Sequence, residues 1–217
     1  MRPGRRIADL AADQPVLAAV WAAVLLLVAG AALLTGDRQV WAYLTVCLVL
    51  TAVVATAHVA AHFSRGLLVM LMVLGCLHMA GGLLPSAGGV LYDYWLVDHV
   101  LRYDQAVHAF GSMAATWASW QLVGAYADLS RTPARAQALI ACLGGMGKGA
   151  INEVVEFVVG GPHVGGYTNT GWDLVFDLAG CTAMAVYLTQ SRADRRTRPA
   201  PASGILAAHA PSTEPAL

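Results

Sequence analysis

Long apolar runs alternate along this chain with short polar gaps, and the runs are of similar length. An α-helix rises about 1.5 Å per residue, so about 20 apolar residues cross a bilayer core. Six segments meet that requirement: 15–34, 40–62, 66–84, 103–127, 136–159 and 171–190. The pattern predicts an all-α fold, a polytopic integral membrane protein of six transmembrane helices. The chain then divides into a cytoplasmic N-terminal segment 1–14, a six-helix domain 15–190 and a tail 191–217. The tail is basic, then rich in Pro, Ala and Ser, and is expected to be disordered.

Composition agrees with the pattern. Of 217 residues 58% are hydrophobic and 12% charged, where a soluble domain carries about 25% charged residues. The four cysteines, Cys47, Cys76, Cys142 and Cys181, stand singly in apolar runs, which supports neither a disulfide framework nor a zinc ribbon. Formal net charge is zero, so nucleic acid is not an expected partner; the lipid bilayer is. There is no internal repeat and no nucleotide-binding glycine loop.

Loop charge sets the expected orientation. With both termini cytoplasmic, the inner loops and tails hold Arg2, Arg5, Arg6, Arg65, Arg131, Arg135, Arg192, Arg195, Arg196 and Arg198, and the outer loops only Arg38 and Arg102. That asymmetry follows the positive-inside rule. The outer loop 85–102, with Tyr92, Tyr94, Trp95 and Leu96, reads as an interfacial segment at headgroup level.

Against this apolar background the polar residues inside the spans stand out. The topology puts Asp104, Glu156 and Asp173 in a shallow outer layer, with His78, His108, Glu153 and Asp177 beneath it. Asp104/His108 and Asp173/Asp177 are i,i+4 pairs and Glu153/Glu156 is i,i+3, so each pair shares a helix face. Three helices each contribute to both layers. An acid at the centre of a span costs roughly 2.5–3.5 kcal/mol on insertion scales, and mutual repulsion raises the cost for five. Either several are protonated or a cation sits among them. Carboxylates with imidazoles suit zinc, manganese or iron. The ligand candidates are His78, Asp104, His108, Glu153 and Asp177. Glu156 and Asp173 are candidate general bases.

Lys148, the only lysine, lies mid-span in "GGMGKGAINEV". It either neutralises a carboxylate of the last helix or stabilises developing negative charge as a catalytic residue. Its glycine neighbours thin the helix for close packing. His58 and His62 are also i,i+4 but lie near the inner end of the second helix, without an acidic partner. Asn152 is placed to hydrogen-bond across helices or orient a ligand. His163 and Asn169 fall in the glycine-rich loop "GGPHVGGYTNT", which is expected to cap the site.

"YDQAVHAFG", "NEVVEFVVG" and "TGWDLVFDLAG", with the upstream "LHMAGG", resemble blocks of the YjdF-like inner-membrane proteins. A more distant similarity is to VanZ-like membrane proteins. The resemblance runs over about residues 75 to 186 and implies site roles for Asp104, His108, Glu153, Glu156, Asp173, Asp177 and, more weakly, His78. Gln105 stands where that family has arginine, and "NTGWD" lacks one of its acids. The resemblance implies an envelope setting and supplies no reaction.

Three functions compete on these residues. The leading one is an outward-facing metal site of a metal-dependent enzyme acting on a lipid or envelope precursor, where a bound ion lowers the pKa of water to about 7. The second is a cation- or proton-coupled transporter or channel, which the missing repeat and the lack of acids in the inner half disfavour. The third is a structural partner subunit whose acids are merely paired.

Overall fold

The computed structural model describes residues 13–87, 89–129, 131–160 and 166–197. Six long helices account for most of them: α1 (Pro15–Thr35), α2 (Arg38–Ala61), α3 (Arg65–Leu83), α4 (Tyr103–Tyr126), α5 (Ala134–Gly160) and α6 (Gly166–Thr197). Five of these, α1, α2, α3, α5 and α6, are long and apolar enough to cross a membrane. Their exposed side chains include Leu26, Leu27, Leu34, Val49, Phe157 and Val158, which suits contact with lipid rather than water.

Local chemistry explains the helix ends. α1 begins on Pro15, whose missing N–H is no loss in a first turn, and stops at Gly36, where φ is 63°. Asp37 caps α2 by accepting from Gln39 N at 2.7 Å. Ser64 caps α3, and the Gln105 side chain accepts from Arg102 N at 2.9 Å as α4 starts.

α4 lies at the centre and packs against α6, α5, α3 and α2. It is as long as a span but less apolar. Its buried residues include Gln105, His108, Ser112 and Thr116, polar groups that a helix enclosed by other helices can carry and a lipid-facing one cannot. Both ends of α4 are tied to α3. The Tyr103 hydroxyl donates to Leu77 O at 3.0 Å, while Ser64 N donates to Gln121 Oε1 at 2.7 Å and Gln121 Nε2 to Ser64 Oγ at 2.9 Å.

Small residues draw α4, α5 and α6 together. A Cβ at Gly145 would overlap Thr116 and Cys181, one at Gly149 the Asp177 carboxylate, and one at Gly180 the Ala109 carbonyl. Close backbone approach of this kind is how apolar helices associate where burial from water offers no drive.

The segment between α3 and α4 folds as a small cap. β1 (Pro85–Ser86) pairs antiparallel with β2 (Gly89–Val90), a 3₁₀ turn covers Leu91–Asp93, and β3 (Trp95–Val97) pairs antiparallel with β4 (Leu101–Arg102). Arg102 stacks on its cross-strand partner Trp95, 4.8 Å from the ring centre. One correction concerns α6. It begins at Gly166 instead of near 171, so Asn169 is helical and not part of a capping loop. His163, the N-terminal residues 1–12 and the tail beyond Thr197 lie outside the described residues.

Candidate functional site

Helix geometry brings six of the seven proposed acidic and histidine residues to one end of the bundle. The first two turns of α4 carry Asp104 and His108, the last turns of α5 carry Glu153 and Glu156, and α6 carries Asp173 and Asp177 two to three turns from its start. His108 is the hub. Its Nδ1 lies 3.3 Å from Asp177 Oδ1, and its Nε2 lies 3.7 Å from Asp104 Oδ1 and 3.8 Å from Glu153 Oε1. With its proton on Nδ1, His108 would donate to Asp177 and turn the Nε2 lone pair toward Asp104 and Glu153. Ser112, one turn below His108, donates to the same Asp177 oxygen at 2.5 Å.

Ligand atoms of Asp104, His108 and Asp173 lie within 4.8 Å of one another, as do those of His108, Glu153 and Glu156. Two asparagines hold the outer carboxylates. Asn169 Nδ2 donates to Asp173 Oδ2 at 2.5 Å and Asn152 Nδ2 to Glu156 Oε1 at 2.6 Å, each from one turn away on the same helix. Asn152 thus bonds a cluster carboxylate of its own helix and not a group across helices.

Asp173 and Asp177 are 1% and 0% exposed, and Glu153 is 7% exposed. Glu153 Oε1, Asp173 Oδ1 and Asp177 Oδ2 are buried with no hydrogen-bond donor among the described residues. An unsatisfied buried polar atom costs about 1–3 kcal/mol, more when it is charged. Beside an imidazole held by a carboxylate, oxygens of this kind are donors that could hold a cation.

The family model described as a predicted membrane protein (DUF2238) matches residues 16–194. The chain belongs to that family. The DUF2238 match begins in α1 and ends in α6, so every residue of the cluster lies inside it. It supports a membrane setting and names no reaction, and it does not distinguish the YjdF-like from the VanZ-like resemblance. Comparisons with curated proteins and with solved structures give no match.

The remaining candidates of this DUF2238 chain fall elsewhere. His78 sits beside the cluster and takes the Tyr92 hydroxyl on Nδ1 at 2.5 Å, with the Tyr43 ring 5.0 Å away. It belongs to neither ligand group. Burial drives the Tyr92 phenol far above its ordinary pKa, so it stays a donor. Lys148 has no carboxylate within 4.0 Å among the described residues; its Nζ instead lies beside Gly111, one turn below His108. The expected pairing with an acid of the last helix is therefore not formed. His58 is buried against Phe63 at the opposite end of α2, and His62 ends that helix in the left-handed region.

Three participants were missed in the sequence: Ser112, Tyr43 and Tyr92. Ser112 was findable, since it continues the Asp104/His108 face at the next i+4 step. The tyrosines carried no comparable signal, because a tyrosine near a span end is ordinary interfacial dressing.

Proposed function

We propose that this DUF2238 protein is a six-span membrane protein, N-in and C-in, whose outward end holds a divalent metal ion for chemistry on a lipid or envelope precursor. The single observation carrying the reading is the set of buried, unbonded carboxylate oxygens around an imidazole already oriented by Asp177. His108 Nε2, Asp104, Asp173, Glu153 and Glu156 are the ligand set, with oxygen and nitrogen donors suited to zinc, manganese or iron. Asp177 and Ser112 act as positioning residues for His108. His78 stands outside the ligand set and serves with Tyr92 to close the cap.

A bound ion supplies Lewis-acid polarisation and activates water at neutral pH. Glu156 or Asp173, whichever the ion leaves unbound, would take the proton of a nucleophile, and Lys148 on the inner side would face an anionic group of the substrate.

Elemental analysis of detergent-purified protein, grown with metals and handled without chelators, tests the reading. Stoichiometric metal in the wild type and none in a well-folded His108→Ala variant is the expected result. A metal-free wild type would sink it. Proton or cation flux in liposomes, abolished by Glu153→Gln, would then favour the transport alternative.

A further inference from the structure

We infer that the cluster is built for two divalent ions rather than one. This rests on the metal reading above and goes beyond it in assigning a second site.

The donors divide into two groups that meet at His108. One joins α4 to α6 through Asp104, His108 and Asp173; the other joins α4 to α5 through His108, Glu153 and Glu156. Each group has the same three features. Each has one carboxylate oxygen, nine-tenths or more buried, that receives no hydrogen bond: Asp173 Oδ1 in the first, Glu153 Oε1 in the second. Each has one carboxylate fixed by an asparagine one turn away, Asp173 by Asn169 and Glu156 by Asn152. Each has a second acid within ion-pair distance of His108 Nε2, Asp104 at 3.7 Å and Glu153 at 3.8 Å. A single site would need only one such set.

Charge points the same way. Asp104, Glu153, Glu156, Asp173 and Asp177 bring five carboxylates to one low-dielectric end of the bundle. One divalent ion leaves three negative charges over. A second leaves one, and Lys148, which has no carboxylate partner of its own within 4.0 Å among the described residues, offsets it. An imidazole nitrogen binds one ion only, so His108 completes one group and a carboxylate, with two oxygens, bridges to the other. Carboxylate-rich helix bundles join metal pairs in this way, and paired ions suit displacement at an ester or phosphate centre.

The test is titration of the metal-free, full-length protein in detergent with Mn²⁺, read by equilibrium dialysis and electron paramagnetic resonance. Two equivalents are expected to bind. The isolated-ion six-line signal of the first should give way to a spin-coupled spectrum with the second. Glu156→Gln and Asp104→Asn should each bind one equivalent and show no coupled spectrum, with helix content by circular dichroism unchanged. Saturation of the wild type at one equivalent would overturn the second site and leave the metal reading standing. No binding would overturn both, and two uncoupled ions would place the second outside this cluster.

Discussion

His108 and Asp177 divide a task that the spacing of acids alone would have shared among ligands. Asp177 faces Nδ1, while Asp104 and Glu153 face Nε2. Removing an orienting partner of a ligating histidine typically costs roughly 10–100-fold in metal affinity, whereas removing the ligand abolishes binding. Asp177→Asn should therefore weaken metal retention by about that factor in chelator competition, and His108→Ala should eliminate it. Equal losses in the two variants would make Asp177 a ligand. Gly149 gives a packing prediction at the same scale. A methyl there meets the Asp177 carboxylate, while at Gly147, two residues away, it meets nothing within 4 Å. Gly149→Ala should destabilise by roughly 1–3 kcal/mol through overpacking. Gly147→Ala should be neutral or stabilising by up to about 1 kcal/mol through helix propensity. Thermal denaturation of the two variants in detergent measures the contrast.

Among the elements, α4 and the cap between α3 and α4 are the instructive ones. α4 has the composition of a core helix because it is surrounded, and its capping Gln105 is the residue that replaces an arginine in the resembling blocks. The cap is held over the site by Tyr92, whose hydroxyl reaches both Nδ1 and the carbonyl of His78 and whose ring fills the space over Gly81. Tyr92→Phe removes a hydrogen bond worth about 1 kcal/mol net and leaves the half-buried His78 Nδ1 without its partner. Faster amide hydrogen exchange across residues 85–102, with α5 and α6 unchanged, is the expected signature. The aromatics of residues 85–102 read in the sequence as an interfacial segment. Its two strand pairs were not foreseen, because pairs of two or three residues have no periodicity to detect.

For the whole molecule, the status of α4 decides the topology. Five helices qualify as spans on length and composition, and α4 matches them in length but is less apolar. Six crossings put both termini on one side; five put them on opposite sides. Reporter fusions before Pro15 and after Thr197 should report the same, cytoplasmic compartment. A Ser86→Cys variant, in a background without the native cysteines, should label from the opposite face with a membrane-impermeant maleimide. Labelling of that variant from the cytoplasmic side would invert the site.

Helix number and most helix ends were legible in the sequence, since the length of an apolar run acts locally. So was the grouping of Asp104, His108, Glu153, Glu156 and Asp173: an acid in a span is costly wherever it lies, and i,i+4 spacing sets its face before any packing is known. What the sequence could not decide was contact. Which nitrogen of His108 meets Asp177, that Lys148 lies beside Gly111 instead of an acid, and that Tyr92 folds back onto His78 all depend on how α3, α4, α5 and α6 rotate against one another. Rotation is set by small-residue packing at Gly145, Gly149 and Gly180, a relation between distant segments that no local pattern encodes.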